Sequence, residues 1–86
     1  MKKIVVVDDD PDMREFIADV LRPKFQVHTA EDGMAGLEVI QRETPDLVVL
    51  DLLMPRMHGF EVCQKMRSDE RLKDEVIALA SHELRT

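Results

Sequence analysis

The sequence has few aromatic residues and one cysteine, and it contains no tryptophan or tyrosine. Its three aromatic residues are phenylalanines, so the core of this 86-residue chain must be built from aliphatic side chains and methionine. The single cysteine, Cys63, excludes an internal disulfide and is typical of proteins in a reducing cytoplasm. No apolar run reaches the length that a membrane span requires. We therefore expect a cytoplasmic location.

Basic residues are too few to balance the acidic ones. Twelve lysines and arginines stand against 18 aspartates and glutamates, which gives a net charge of −6. Nucleic acids and anionic membranes attract basic surfaces, so neither is expected as a partner. Apolar residues make up 44% of the chain, enough for a folded core. One small globular domain is predicted.

Segments with strand and helix patterns alternate along the chain. Residues 4–7 and 47–50 are continuous apolar runs, which predict strands buried on both faces, whereas residues 25–29 alternate as an edge strand does. Helices are predicted from Pro11, over residues 33–42 and from Phe60. The alternation predicts an α/β fold with a doubly wound parallel sheet. The two apolar strands belong in its centre, which gives the order 2-1-3.

Carboxylates follow the two central strands of this predicted sheet. Asp8 and Asp9 come directly after the first strand, and Asp51 ends the third. In such sheets the ligand crevice lies at the carboxyl ends of the strands where the order reverses, so we expect these three acids to face one another. Mg2+ would relieve their repulsion, and one carboxylate could act as a nucleophile toward phosphorus. Asp10 and Asp12 are expected to serve the helix N-terminus instead.

The segments "IVVVDDDPDMREFI" and "DLVVLDLLMPRMHGFEV" resemble the response-regulator receiver domains of bacterial two-component signalling. The resemblance covers residues 1–74. It implies a flavodoxin-like (CheY-like) fold, truncated, with strand order 2-1-3 or 2-1-3-4. It also implies that Asp51 is the phosphoacceptor and that Asp8, Asp9 and Asp51, with the backbone carbonyl of Leu53, bind Mg2+. The phosphoryl donor would be a sensor histidine kinase. Self-phosphorylation and dephosphorylation would be the only activities, and no separate catalytic turnover of a substrate is expected.

The sequence departs from the receiver pattern near its carboxyl end. Receivers carry a threonine or serine at the end of a fourth strand and a lysine at the end of a fifth, and both contact the phosphoryl group. If residues 76–79 are the fourth strand, the position of the receiver threonine or serine is occupied by Ala80. Ser81, one residue further along the chain, is then the candidate contact to the phosphoryl group. The lysine has no counterpart. The resemblance therefore implies slow phosphorylation.

Residues 75–86 also resemble the first helix of the dimerisation and phosphoacceptor domain of sensor histidine kinases. In that family the histidine of "SHELRT", here His82, accepts the phosphoryl group, and the neighbouring Glu83 assists proton transfer. No glycine or proline lies between residues 60 and 86, so a helix continuing from about residue 69 is favoured over a fourth strand.

Such a helix carries a narrow apolar stripe, which predicts a homodimer or higher oligomer. Two other functions are considered besides that of a phosphoacceptor module. One is a non-catalytic receiver-like module for dimerisation or interaction, and the other is a fragment of a hybrid histidine kinase in which His82 takes the phosphoryl group.

Overall fold

Strands and helices alternate along the described part of the chain. The computed structural model describes residues 1–51, 59–70 and 76–80. Its elements are β1 (Lys3–Val7), α1 (Pro11–Leu21), β2 (Gln26–Ala30), α2 (Gly33–Glu43), β3 (Leu47–Asp51), α3 (Gly59–Arg67) and β4 (Val76–Ala80). The four strands are parallel in the order β2-β1-β3-β4, so the predicted α/β sheet with order 2-1-3 is confirmed. In these ranges no helix has the length and hydropathy that crossing a membrane requires.

The core lies around the two central strands, as their apolar sequences predict. Residues 4–7 of β1 are at most 2% exposed, and Val48 and Leu50 of β3 are fully buried. Helices α2 and α3 contribute Ile40, Val62 and Met66, all of them without exposed surface. Aliphatic and methionine side chains therefore fill the core, in agreement with the scarcity of aromatic residues.

Helix α1 begins at a capped N-terminus and packs on the sheet through a narrow face. The Asp10 side chain accepts a hydrogen bond from the Asp12 N–H at 3.0 Å, and Pro11 occupies the first helical position. Ala18 is fully buried, whereas Phe16 and Val20 are 65% and 63% exposed. The helical spacing places both large residues among the apolar positions of α1, yet the small Ala18 marks the face that packs on the sheet.

Helix α2 approaches β1 unusually closely. It begins at Asp32, whose side chain accepts a hydrogen bond from the Ala35 N–H at 2.8 Å. One turn on, a Cβ built on Gly36 would lie 2.7 Å from Cγ1 and 2.8 Å from Cγ2 of Val7. Glycine at position 36 is therefore favoured by space, since a Cβ there would overlap the Val7 side chain unless one of the two elements shifted.

Residues 76–80 form a strand, so the helix favoured from the sequence is wrong for this segment. Helix α3 ends at Arg67, and a turn follows in which the Asp69 N–H donates to the Met66 carbonyl at 3.1 Å. Strand β4 then pairs with β3, from Leu47 opposite Val76 to Asp51 opposite Ala80. The backbone of β3 gains a hydrogen-bonded neighbour in this way, which outweighs the helix propensity of a short apolar run. Residues 71–75 and 81–86 lie outside the described residues.

A charged cluster joins the end of α2 to β1 and β2. Glu43 Oε1 lies 3.5 Å from Lys3 Nζ and 3.4 Å from His28 Nε2, and Glu43 Oε2 accepts a hydrogen bond from Arg42 Nε at 3.0 Å. The Arg42 hydrogen bond is the main cause that lowers the pKa of Glu43, and His28 and Lys3 act in the same direction against the opposing effect of desolvation. The ionised carboxylate is therefore favoured in the folded state.

Glu43→Gln should lower the free energy of unfolding near neutral pH and change its acid dependence. Because the folded pKa is below the ordinary value of 4.5, the contribution of Glu43 is present above that value and is lost as pH falls through the folded pKa. The difference in the free energy of unfolding between wild type and Glu43→Gln should thus become smaller in acid. Urea unfolding from about pH 7 to about pH 3 measures this difference. Glu38→Gln, on the exposed face of α2, is the control. A gap that stays constant with pH would contradict this role.

Candidate functional site

Three carboxylates converge at the carboxyl ends of the central strands. The pairing of Val7 with Leu50 brings the residues that follow them, Asp8 and Asp51, to the same edge of the sheet. One carboxylate oxygen from each of Asp8, Asp9 and Asp51 lies within 4.8 Å of the others. Asp8 and Asp51 are only 2% and 1% exposed, while Asp9 is half-buried. The strand order thus brings together the three acids that the sequence singles out.

Backbone and side-chain hydrogen bonds fix the loop after β1. The Asp8 N–H donates to the Ala30 carbonyl of β2 at 3.1 Å, which extends the β1–β2 pairing by one residue. Asp8 Oδ1 accepts from the Asp10 N–H at 2.9 Å, and Arg14 Nη1 donates to the Asp8 carbonyl at 2.8 Å. The chain therefore turns sharply from β1 into α1, with Asp9 at the turn.

The donor set of this cluster fits a hard divalent cation. Asp9 Oδ1 is buried, and no hydrogen-bond donor within residues 1–51, 59–70 and 76–80 reaches it. A buried carboxylate oxygen without a donor is destabilising, and two further carboxylates within 4.8 Å add repulsion. Mg2+ would relieve both effects because it prefers carboxylate oxygens and retains several waters. The oxygens of Asp8, Asp9 and Asp51 are suitable ligands, and their roles remain predictions.

The other predicted site residues follow β3 or β4 in the chain. Leu53, Ser81, His82 and Glu83 lie outside the described residues, so their predicted roles are untested. The end of β4 itself is described, and Ala80 pairs in register with Asp51. The residue next to Asp51 on this strand is therefore an alanine, which has no hydroxyl to offer a phosphoryl group.

Comparison with known proteins identifies the family. The family model for the response regulator receiver domain matches residues 4–85, nearly the whole chain. The chain belongs to the response regulator receiver domain family. This match extends beyond residue 74, the limit of the resemblance seen in the sequence, and takes in the residues of β4. Receiver domains are the phosphorylation modules of two-component signalling. The match is to a receiver domain and offers no support for the kinase phosphoacceptor helix suggested by "SHELRT".

Similar proteins include both kinases and regulators. This receiver is 45% identical over 76 residues to hybrid signal transduction histidine kinase D of Dictyostelium discoideum, covering 88% of this chain and 5% of that protein. It is 39% identical over 75 residues to the DNA-binding regulator RpaA of Synechocystis, covering 86% of this chain and 31% of that protein. The receiver thus spans less than a third of either relative.

Solved structures show the same fold. The chemotaxis response regulator CheY4 of Vibrio cholerae superposes with a TM-score of 0.91 at 30% identity, over 98% of this chain and 71% of that one. The response regulator TrrA of Thermotoga maritima, crystallised in complex with Mg2+-BeF, superposes with a TM-score of 0.86 at 35% identity, over 99% of this chain and 73% of that one. The CheY-like fold predicted for the receiver is confirmed.

Sequence reasoning missed Arg14 as a residue of this receiver site. Its guanidinium bonds the backbone of Asp8, which only the structure reveals. One sequence signal was available: Arg14 stands near the N-terminus of α1, where the helix dipole favours acids such as Asp12. A cation is less favourable at such a position than an acid, and this could have drawn attention to Arg14.

Proposed function

We propose that this receiver takes a phosphoryl group onto Asp51 with Mg2+ held by Asp8, Asp9 and Asp51. The observation that carries the proposal is the convergence of three carboxylates within 4.8 Å, one of which has a buried oxygen that no described donor reaches. A cluster of this kind serves no evident purpose in packing, because it places like charges together at low exposure. Phosphoryl chemistry uses both its charge and its carboxylate oxygens.

The reaction is an in-line displacement at phosphorus. One carboxylate oxygen of Asp51 forms the new P–O bond while the P–N bond to the donor imidazole breaks, and the imidazole leaves with the bonding electron pair. The product is an aspartyl acylphosphate. Bound Mg2+ would supply positive charge to the phosphoryl oxygens. Asp8 and Asp9, together with Asp51, would hold the metal, while burial of Asp51 restricts the orientations open to its carboxylate.

The phosphoryl donor in this proposal is the phosphohistidine of a sensor histidine kinase. Support comes from relatives in which a similar domain belongs to a histidine kinase, namely hybrid kinase D of Dictyostelium and TmoS of Ectopseudomonas mendocina. The Mg2+-BeF complex of TrrA supports the proposal that Mg2+ binds this site. A cytoplasmic location, expected from the single cysteine, belongs to the same proposal.

The alternative functions rest on weaker observations. Dimerisation was predicted from a C-terminal helix, and β4 takes the place of that helix over residues 76–80. His82 lies outside the described residues. Nothing described therefore favours the non-catalytic module or the histidyl acceptor over Asp51. Sedimentation of the purified chain tests self-association directly.

Mg2+ should raise the unfolding temperature of the wild-type receiver, and Asp9→Asn should lose most of this rise. A ligand that binds only the folded state adds about 2.7 kcal/mol of stability at 100 times its Kd. Removing one of three carboxylate ligands weakens the metal site, while the loss of one like charge should leave the metal-free protein at least as stable. Calorimetry with and without Mg2+ measures both effects.

Asp12→Asn is the matched control for this experiment. Asp12 is an exposed acid of the same helix terminus, and this change removes the same charge without touching the cluster. It should keep the full response to Mg2+. A wild-type protein that does not respond to Mg2+, or an Asp9→Asn variant that responds fully, would refute the proposed metal site.

A further inference from the structure

The guanidinium of Arg14 reaches back from α1 to the acidic loop. Its Nη1 donates a hydrogen bond to the Asp8 carbonyl oxygen at 2.8 Å, in a partly buried position. The backbone N–H of Arg14 donates to the Asp10 carbonyl at 2.9 Å, at the start of α1. Arg14 is thus held by the helix at its backbone and bonded to the loop through its side chain.

We infer that Arg14 is a positioning residue for the carboxylates of Asp8 and Asp9, an inference that rests on the proposed function. The Asp8 carbonyl belongs to the peptide group that leads into Asp9. A peptide group is planar, so a hydrogen bond that orients this carbonyl also orients the N–H and the Cα of Asp9. The direction of the Asp9 side chain toward Asp51 therefore depends on Arg14.

The bond from Arg14 acts alongside two other hydrogen bonds of Asp8. The Asp8 N–H is bonded to Ala30 of β2, and its Oδ1 accepts from the N–H of Asp10. Those two bonds hold the strand end and the side chain of Asp8. The bond from Arg14 acts on the following peptide, which carries the chain to the next ligand. Without it, this peptide would gain rotational freedom while β1 and α1 stayed in place.

Charge and geometry make opposite predictions for the loss of Arg14. A cation near three carboxylates repels Mg2+, so its removal would strengthen metal binding if charge were its only role. If Arg14 orients the ligands, its removal should weaken binding, because residues that orient metal ligands typically contribute about 10-fold to 100-fold in affinity. A purely structural role would lower stability and leave the affinity unchanged.

The test measures the Mg2+ dissociation constant of the folded protein by isothermal titration calorimetry in wild type, Arg14→Met and Arg14→Lys. We expect Arg14→Met to weaken Mg2+ binding about 10-fold or more. Lysine keeps the charge, but its shorter side chain cannot place a donor where Nη1 lies, so Arg14→Lys should bind Mg2+ at least as weakly as Arg14→Met. Arg22→Met is the control, since Arg22 pairs with Glu15 and Asp19 at the other end of α1.

A second measurement tests the hydrogen bond from Arg14 to the Asp8 carbonyl in the absence of metal. Loss of a hydrogen bond to a carbonyl moves its carbon-13 resonance upfield, so the Asp8 carbonyl signal should shift in Arg14→Met and stay in place in Arg22→Met. This readout does not depend on Mg2+ or on phosphoryl transfer. An unchanged Asp8 carbonyl signal would overturn the inference.

The outcomes separate this inference from the proposed function. Wild-type protein that binds no Mg2+ would overturn both. Wild-type binding together with an equal or smaller dissociation constant in Arg14→Met would overturn the inference alone. If Arg14→Met does not fold, Arg14→Lys decides, and wild-type affinity in that variant would overturn the role of the guanidinium.

Discussion

Asp51→Asn should abolish the uptake of a phosphoryl group from acetyl phosphate in the presence of Mg2+. An amide nitrogen replaces the attacking oxygen and the negative charge is lost, so no acylphosphate can form. Asparagine has nearly the same shape, which should preserve the buried end of β3. Mass spectrometry of the intact chain measures the gain of one phosphoryl group. Wild type should gain it slowly, because Ala80 beside Asp51 offers no hydroxyl.

Asp46→Asn is the matched control for the acceptor. Asp46 precedes the same strand at its opposite end and accepts a hydrogen bond from the Lys3 N–H, which an asparagine oxygen can also accept. It should be phosphorylated as wild type is. A phosphoryl group that persists in Asp51→Asn and disappears in His82→Ala would move the chemistry to the histidine. Acid treatment gives a second criterion, since an acylphosphate tolerates acid better than phosphohistidine does.

Gly36→Ala should destabilise the domain by about 1–3 kcal/mol, the usual range for overpacking a core. The added Cβ would lie 2.7 Å from a methyl of Val7, which is 1% exposed on a central strand and closely packed. Alanine favours a helix by about 1 kcal/mol over glycine, so a net loss would show that the contact with β1 dominates. Thermal unfolding should reveal a fall of roughly 4–8 °C per kcal/mol.

A double-mutant cycle with Val7→Ala isolates this contact. Val7→Ala alone removes buried methyl groups and should be destabilising. In the Gly36→Ala background it also makes room for the new Cβ, so the double variant should be more stable than the sum of the single effects predicts. Strict additivity would show that the helix and the strand adjust independently, and that position 36 tolerates a side chain.

The sequence allowed most of the fold to be predicted, because its strongest patterns are periodic and local. Continuous apolar runs identified both central strands, and their position at the centre of the sheet brought Asp8, Asp9 and Asp51 together before any contact was known. Asp10 was predicted to cap α1 from its place before Pro11, and its side chain does so. In each case the pattern lies within a few residues.

The features that the sequence did not allow us to predict depend on partners outside the local sequence pattern. Residues 76–80 suit a strand or a helix, and the neighbouring β3 decides in favour of the strand. Helical spacing placed Phe16 and Val20 with the apolar positions of α1, but which side of the helix meets the sheet depends on the close packing of Ala18. The hydrogen bond from Arg14 to Asp8 likewise joins side chain to backbone across a turn.

The convergence of the three carboxylates also has a consequence for folding kinetics. Asp8 and Asp9 follow β1, whereas Asp51 ends β3, so the chain must complete two crossovers before these charges meet. Closing such a long loop is slow, and here mutual repulsion opposes its last step. Cations in solution screen that repulsion. The rate at which β3 docks on β1 is therefore tied to the ionic composition of the medium in which the chain folds.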